Sequence, residues 1–443
     1  MTHPLEPERK LKQTVGLIGV VMFGAGSAIG VSIFSVLQPA AKVAGSGLLI
    51  AMVIATIPMV LFASSYAFMG SALPTSGASY EWPRRFIHPF VGFIIAWLRI
   101  IANVGAIIVL SSVLVSYLGM AFDLPRKLTM AVAITIAFVM NYFGVSIASG
   151  VQTVLMGLLL LVLAAFAFTG LPMTSLDLIQ PIIGHGWVAI FACVTLMISL
   201  FLGIESAVEI GEEVKNPQKT LPQGIVLAVL LTLIVYGIVA FTALGLIGPE
   251  KLALSKTPLL DAARVPLGPL AGPVIISAAC VSIMKSLNGI ALGFSRSLYA
   301  MGREGALPSF FTAVHPKFGT PYLAVAICWG LGIAGIFLPD DLVFLLLAVN
   351  IPTMLKYMAC SISATNLVRY HPKIYAQAGL KWSKPTIYLL GYAGALCAVG
   401  IILAGIEADA RPYGLLCGWA VIGIVYWFVR QRVKKTRADT GAN

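Results

Sequence analysis

The chain has 443 residues, of which 59% are hydrophobic and only 10% are charged, and its formal net charge is +12. Soluble proteins average about 25% charged residues, so this composition excludes a soluble domain and indicates an integral membrane protein. The polar start, residues 1–13, is not followed by a short apolar core with a small-residue cleavage site. We therefore expect the first apolar segment to be retained as a membrane span.

Hydropathy predicts twelve spans, each near the roughly 20 residues with which a helix crosses a bilayer. They cover residues 14–37, 47–71, 89–118, 128–147, 151–171, 187–211, 222–247, 269–295, 320–338, 342–367, 385–406 and 412–430. Of the 29 lysines and arginines, 19 lie on the side of the termini, 7 in the opposite loops and 3 inside spans. The positive-inside rule then places both terminal segments, 1–13 and 431–443, in the cytoplasm. The basic excess is thus a topology signal, and we expect no nucleic-acid partner.

Glycines and serines interrupt the first predicted span at its centre, between Gly24 and Phe34. Each glycine costs about 1 kcal/mol of helix propensity. Irregular backbone at this depth must be buried in protein or line a cavity. Small residues also permit close helix packing. The segment alone therefore leaves binding and packing as equal alternatives.

The sixth predicted span is interrupted as well, because Ser199 to Ser206 combines a glycine, two serines and Glu205. Five spans precede it, so it enters the membrane from the opposite face to the first. Interrupted segments at corresponding positions of two halves indicate a transporter site. We therefore predict an all-α membrane protein whose transport core, 14–367, contains inverted repeats of five spans at 14–171 and 187–367. The helices within 385–430 are expected to be peripheral.

Five ionisable residues lie inside predicted spans, namely Arg99, Glu205, Glu209, Lys285 and Lys356. Each costs about 2.5–3.5 kcal/mol to insert, so each requires a partner, a cavity or a change of protonation. Glu205 is either a gate or protonation residue or a carboxylate that caps freed backbone amides. Lys285 is either a titrating amine or a permanent ammonium paired with an acid. Glu209 is expected to form a structural pair with a lysine or arginine. Arg99 is expected either to snorkel or to form a structural pair, and Lys356 is a weaker candidate for a gate.

The motifs of metalloproteases, serine hydrolases and P-loop enzymes are not found in the sequence, so we expect no enzyme, no catalytic residue, no cofactor and no metal. A channel would require rings of charge or carbonyl groups along a pore. Two interrupted helices of opposite orientation suit alternating access better. A channel and a transporter-like sensor remain the alternatives from other classes.

Several motifs carry a resemblance to a known family. They are GIESA at 203–207, EVKNPQKTLP at 213–222, PTSGASY at 74–80 and REGALP at 303–308. With these motifs the chain resembles the amino acid–polyamine–organocation transporter superfamily over spans 1 to 10. The resemblance implies twelve helices with a LeuT-like core, in which helices 1 and 6 are discontinuous. It also implies secondary transport of an amino acid, by proton symport or exchange.

The resemblance assigns site residues by position, since GSAIGVSIF at 26–34 aligns with the glycine-rich loop whose amides bind the substrate carboxylate. The donors would be Gly30, Val31 and Ser32. The carbonyls of Ala28, Ser199 and Leu202 would receive the amino group. The remaining positions of the implied site are Ile29, Asn103, Phe201, Gly203 and Ile290. Two departures bear on specificity, because valine-serine replaces the usual Ser/Thr-Gly at 31–32 and a serine stands at 199 where an aromatic gate is common.

In sodium-coupled relatives a cation lies between spans 1 and 8, and some proton-coupled members place a lysine there. This resemblance predicts that the protein is sodium-independent, with Lys285 and Glu205 in coupling or gating. Three cations and two carboxylates inside the spans disfavour a polyamine and favour a neutral amino acid, with a polyamine or other organic amine as the alternative. The expected surroundings are a small-molecule substrate and the lipid bilayer of the cytoplasmic membrane. The sequence leaves a homodimer open.

Overall fold

The computed structural model describes residues 13–30, 32–255, 257–337, 342–406 and 410–439. Within these ranges the chain is helical and forms no strand, only two isolated bridges. The helices are α1 Leu17–Ala28, α2 Ser32–Ala44, α3 Leu48–Ala72, α4 Ala78–Phe86, α5 Pro89–Leu118, α6 Arg126–Tyr142, α7 Val145–Gly170, α8 Gly186–Ile198, α9 Pro217–Leu254, α10 Pro258–Leu267, α11 Ala271–Arg303, α12 Tyr322–Gly335, α13 Leu342–Tyr370, α14 Pro372–Gln377, α15 Lys384–Ile406 and α16 Arg411–Asp439.

Each predicted span overlaps one of these helices or a pair of them. In the described part of the chain, nine helical stretches are long and apolar enough to cross a membrane. A further apolar helix, α12, is shorter. Large apolar side chains such as Leu161, Phe168 and Leu396 are exposed on the outside of the bundle, where lipid would cover them. The chain is therefore a multi-pass membrane protein.

Both predicted interruptions are present. In the first, α1 ends at Ala28, and the non-helical residues Ile29 and Gly30 precede α2; we call these two residues the first break. In the second, a 3-10 turn at Ser199–Phe201 follows α8, and another begins at Ile204. Leu202 and Gly203 between them form the second break. Gly203 has φ +110°, a left-handed conformation that favours glycine.

Three segments predicted as loops contain short helices, α4, α10 and α14, and α2 continues to Ala44 beyond its predicted end. The predicted spans are long apolar runs, whereas these short helices carry mixed polar and apolar residues. Proline occupies the first turn of α10 and of α14, where its missing amide hydrogen costs nothing. In α4, Glu81 lies in the first turn and two arginines in the last, which complements the helix dipole.

The chain before α1 pairs with the chain after the second break. The amides of Thr14 and Val15 donate to the carbonyl of Glu213 at 3.0 and 3.1 Å. The amide of Lys215 donates back to the carbonyl of Val15 at 2.8 Å. We call the side of the bundle that carries this pairing the N-terminal face. These bonds join the start of the first interrupted segment to the end of the second.

Candidate functional site

The two breaks lie against each other inside the bundle. A Cβ built on Gly203 would lie 2.9 Å from the carbonyl oxygen of Ser27, which leaves room only for a glycine at this contact. The Ser32 hydroxyl, at the start of α2, donates to the carbonyl of Ser199 at 3.4 Å. The backbone groups that the breaks free from helical bonding are therefore gathered in one region.

Lys285 of α11 contacts the first break. Its side chain is fully buried, and its ammonium donates to the carbonyls of Gly26 and Ile29. Of the two alternatives left open for Lys285, pairing with an acid is not what the described residues show, since the hydrogen bonds of the ammonium go to backbone carbonyls. Such carbonyls in an interrupted helix are the groups that hold a cation in transporters.

Buried amides lie beside this lysine. Asn141 of α6 donates to Oδ1 of Asn288 at 2.9 Å, and Asn288 donates to Oε1 of Gln152 at 3.1 Å. Asn141 and Asn288 also donate to backbone carbonyls, which fixes the orientation of both amides. The Nε2 of Gln152 therefore faces away from Asn288, and it lies against Gly26. This group could not be identified from the sequence, because Asn288 lies 136 positions after Gln152 and 147 after Asn141.

Tyr236 of α9 also forms hydrogen bonds at the first break. Its hydroxyl donates to the carbonyl of Ala28 at 2.8 Å and accepts from the amide of Gly30 at 3.3 Å. This residue could not be identified from the sequence, since a single tyrosine in an apolar span does not by itself indicate a functional role. Two groups that the resemblance assigns to the substrate, the Ala28 carbonyl and the Gly30 amide, are thus hydrogen-bonded to a side chain.

Glu205 forms a hydrogen bond with the second break. One of its carboxylate oxygens accepts from the Gly203 amide at 3.0 Å and from the hydroxyl of Tyr357 at 2.5 Å. The other oxygen lies 2.5 Å from the ammonium of Lys356. Tyr357 and Lys356 both belong to α13, and their contacts with Glu205 could not be predicted from the sequence. The carboxylate caps a freed amide, as the structural alternative for Glu205 requires, and it also takes part in an ion pair between helices.

The remaining charges in the spans pair as expected. Arg99 of α5 lies 3.2 Å from the carboxylate of Glu209, which also accepts a hydrogen bond from the hydroxyl of Ser79. This is the basic partner expected for Glu209, and of the two alternatives for Arg99 the structure shows pairing rather than snorkelling. In the described part of the core, the four residues Arg99, Glu209, Lys356 and Glu205 thus form two ion pairs, and Lys285 belongs to neither of them.

The other predicted site residues differ in how deeply they are buried near the two breaks. Phe201 is fully buried beside the second break, and Leu202 is half-buried within it. Asn103 is buried on α5, and Ile290 is half-buried on α11, which packs against α5. Val31 lies outside the described residues.

Ion pairs cover the N-terminal face of the bundle. Arg303, at the end of α11, lies 3.1 Å from Glu212, and Arg84 of α4 lies 2.9 Å from Glu304. Arg84 also lies 2.8 Å from Glu81. Burial alone would raise the pKa of Glu81, but hydrogen bonds and charge from the two arginines of α4 outweigh burial and lower that pKa. These ion pairs link α4, the end of α11 and the segment after the second break.

A second pair beneath this face is completely buried. Arg296 of α11 lies 3.3 Å from Glu213, and neither side chain is exposed to solvent. Burial raises the pKa of the Glu213 carboxyl, although the charge of Arg296 opposes the shift. The segment that follows the second break is therefore anchored to α11 as well as to the chain before α1.

Comparison with known proteins identifies relatives of this chain. The profile of the family described as "Amino acid permease" matches residues 12–429. An uncharacterized transporter of Mycobacterium tuberculosis is 29% identical over 99% of this chain and 98% of its own length. The branched-chain amino acid permease BcaP of Bacillus subtilis is 27% identical, over 96% of this chain and 94% of its own. The methylthioribose transporter of the same species is 26% identical, over 83% and 84%. These relatives are transporters and not enzymes, as the sequence predicted.

Proposed function

Because the chain belongs to the amino acid permease family, we propose that it is a secondary active transporter that moves an amino acid across the cytoplasmic membrane by alternating access. The observation that carries the proposal is the contact between two helix breaks, each served by a charged side chain. Freed backbone groups at such breaks hold charged substrates in transporters. The proposed architecture has twelve spans, two inverted repeats of five at 14–171 and 187–367, two peripheral helices and cytoplasmic termini.

The proposed substrate site uses both breaks. The substrate carboxylate would bind at the N-terminus of α2, where amides and the positive end of the helix dipole favour an anion. The substrate amino group would bind carbonyls around the second break, at Ser199 and Leu202. Phe201, Asn103 and Ile290 would contact the substrate side chain. This assignment rests on the family alignment and on the position of Ser32 at the start of α2.

We favour a neutral amino acid as the substrate. Both carboxylates inside the predicted spans, Glu205 and Glu209, are paired with cations, so a polyamine would have to displace Lys356 or Arg99 to bind either one. The branched-chain permease among the relatives supports this choice. The methylthioribose transporter among the relatives adds a candidate beyond the polyamine or other organic amine, namely a polar solute that is not an amine.

The proposed coupling is to protons rather than to sodium. The Lys285 ammonium contacts two carbonyls of the first interrupted helix, as a bound cation would. A lysine can release its proton when it loses these contacts in an apolar environment, whereas a metal ion would have to leave altogether. Movement of the first break relative to α11 would therefore change the protonation of Lys285. Glu205 would act as the gate between the second break and α13.

A thermal-shift screen of the purified protein against amino acids and amines tests this proposal, followed by flux measurements in proteoliposomes. We expect neutral amino acids to raise the unfolding temperature, and uptake to follow a proton gradient without sodium. Stabilisation by polyamines alone would contradict the neutral substrate. Single-channel currents, or binding without flux, would support a channel or a sensor instead.

A further inference from the structure

The segment 305–307 follows α11 and leaves three carbonyl groups beyond the end of that helix. Gly305 has φ +70°, the left-handed conformation that commonly ends a helix. The amides of Ala306 and Leu307 turn back to the carbonyl of Met301 at 2.8 and 3.1 Å. The amides of this segment are thus satisfied by α11, whereas its carbonyls require donors from elsewhere.

Two side chains of α16 supply these donors. The guanidinium of Arg430 donates to the carbonyls of Gly305 and Leu307, both at 3.3 Å. The hydroxyl of Tyr426, one turn earlier on α16, donates to the carbonyl of Ala306 at 3.1 Å. A cation beyond the C-terminus of a helix also interacts favourably with the negative end of the helix dipole. The last helix of the chain therefore caps α11.

A pair of tryptophans fixes α16 to α5. The rings of Trp97 and Trp419 are stacked, with their centroids 4.8 Å apart and their planes 13° apart. Each indole donates to the backbone carbonyl of the other residue at 2.9 Å, so the two hydrogen bonds are reciprocal. A Cβ built on Gly423, one turn after Trp419, would lie 2.5 Å from the Trp97 ring, which leaves room only for a glycine. The position of α16, and of the cap that it carries, is thus set by α5.

The capped end of α11 carries two charges of the N-terminal face. Arg303 lies 3.1 Å from Glu212, in the segment after the second break, and Glu304 lies 2.9 Å from Arg84. Side chains in both pairs are partly exposed to solvent, and such pairs contribute little unless their geometry is fixed. The bonds from α16 to the next three residues fix it on the side of α11.

We propose that Arg430 and Tyr426 are positioning residues for alternating access: by capping α11 they orient Arg303 towards Glu212 and thereby favour the conformation in which the N-terminal face is closed. The inference rests on the proposed function, because a preference between two faces has meaning only in a transporter. It assigns neither residue of α16 a contact with the substrate. It gives a helix outside the predicted transport core a part in the distribution of conformations.

The first test compares Arg430→Gln with Gln431→Ala in proteoliposomes that contain the protein in one orientation. Gln431 is the next residue on α16, and its side chain is exposed. For each protein we would measure KM for a transported amino acid at the N-terminal face and at the opposite face. Loss of the cap should increase the fraction of molecules open at the N-terminal face, and apparent affinity at a face rises with the fraction that is open there.

We expect the ratio of KM at the opposite face to KM at the N-terminal face to rise about fivefold in Arg430→Gln, the low end of typical coupling between sites. Gln431→Ala should leave this ratio unchanged. A purely structural role would lower the maximal rates at both faces without changing the ratio. An unchanged ratio in Arg430→Gln would therefore overturn the inference, and so would a fall.

A double variant tests whether the cap acts through the ion pair. Glu212→Gln removes the partner of Arg303 and should shift the KM ratio in the same direction as Arg430→Gln. If both residues act through this one pair, the double variant should match Glu212→Gln alone, because effects within one network are not additive. Shifts that multiply in the double variant would show that Arg430 acts by another route, and they would overturn the inference.

Hydrogen exchange measures the cap without any transport. In Arg430→Gln the amides of residues 305–307 should exchange about tenfold faster than in the wild type, because bonds from a charged group no longer hold the segment. If Arg430→Gln does not fold, Tyr426→Phe replaces it in both tests, with the same direction of change expected. Unchanged exchange would overturn the inference. A wild-type chain that transports no amino acid contradicts the proposed function instead, and the exchange measurement then still decides whether α16 caps α11.

Discussion

The ammonium of Lys356 lies 2.5 Å from the carboxylate of Glu205, in a pair that joins α13 to the segment after the second break. Tyr357, the next residue on α13, donates to the other oxygen of the same carboxylate at 2.5 Å. Since consecutive helical residues point about 100° apart, the carboxylate must sit over the helix face between them. Any separation of α13 from the second break has to break this ion pair.

The pair predicts a compensating double substitution. Glu205→Gln or Lys356→Met alone leaves one buried charge without its partner, which costs about 3–5 kcal/mol in comparable buried pairs. The double variant removes both charges and should recover most of the lost stability, but not proton-coupled transport. Unfolding temperatures in detergent and uptake as a function of pH measure the two effects. If the double variant unfolds at or below the temperature of the less stable single variant, the two residues are not energetically coupled.

The first break predicts a steric limit at Gly30. A Cβ built there would lie 2.5 Å from the Ser286 hydroxyl oxygen, so Gly30→Leu should displace α11 from the break. We expect substrate affinity to fall more than about a hundredfold, which corresponds to about 2.7 kcal/mol. The control is Gly157→Leu, at a position where a Cβ meets nothing within 4 Å. Ligand-induced thermal shifts provide the measurement, and retained transport by Gly30→Leu would refute the site assignment.

The position of Lys285 predicts that sodium dependence can be created. In Lys285→Ser, the carbonyls of Gly26 and Ile29 lose their ammonium, and hydroxyl oxygen is available from the new serine and from the buried Ser282. Hard cations prefer such oxygen ligands. Uptake by this variant should rise at least about fivefold on replacing choline with sodium, the low end of typical coupling between sites. Lys285→Met supplies no hydroxyl and should not respond, and strict sodium dependence of the wild type would contradict the prediction.

The lowered pKa of Glu81 predicts how stability depends on pH. Its carboxylate is held by the arginines of α4, so the folded state favours the charged form. This contribution is present above the pKa of the unfolded chain, about 4.3, and is lost as the pH falls through the lower folded value. Glu81→Gln should therefore lower the unfolding temperature at pH 7, and the difference from wild type should shrink below about pH 4. Asp177→Asn, at an exposed carboxylate, should show no such convergence.

The breaks could be predicted because glycines and serines cluster at the centre of two apolar spans, where each glycine weakens the helix. The buried charges could be identified because they stand inside apolar spans, and a basic partner was expected for Glu209, but the sequence did not identify that partner as Arg99. It could not assign Lys356 to Glu205, because 151 positions separate them and partner choice depends on how α13 packs.

Tyr236 illustrates the limit of sequence analysis more clearly. Its hydroxyl matters because of two backbone groups that lie more than 200 positions earlier in the chain. A buried tyrosine in an apolar span is ordinary in composition, and only tertiary contacts reveal its partners. The amides of Gln152 and Asn288 were missed for the same reason. Short helices such as α4 and α10 were missed because hydropathy detects length and apolar content rather than amphipathic turns.

The pairing of Thr14 and Val15 with residues 213–215 has a mechanical consequence. The three bonds use only main-chain atoms, so they would survive almost any exchange of side chains except the introduction of proline, which removes a donor. Because such a tether does not depend on which side chains are present, a comparison of related sequences would not detect it. The tether also couples the motion of two segments, because α1 begins two residues after Val15. If α1 tilts away from the bundle, residues 213–215 must move with it or the three hydrogen bonds must break.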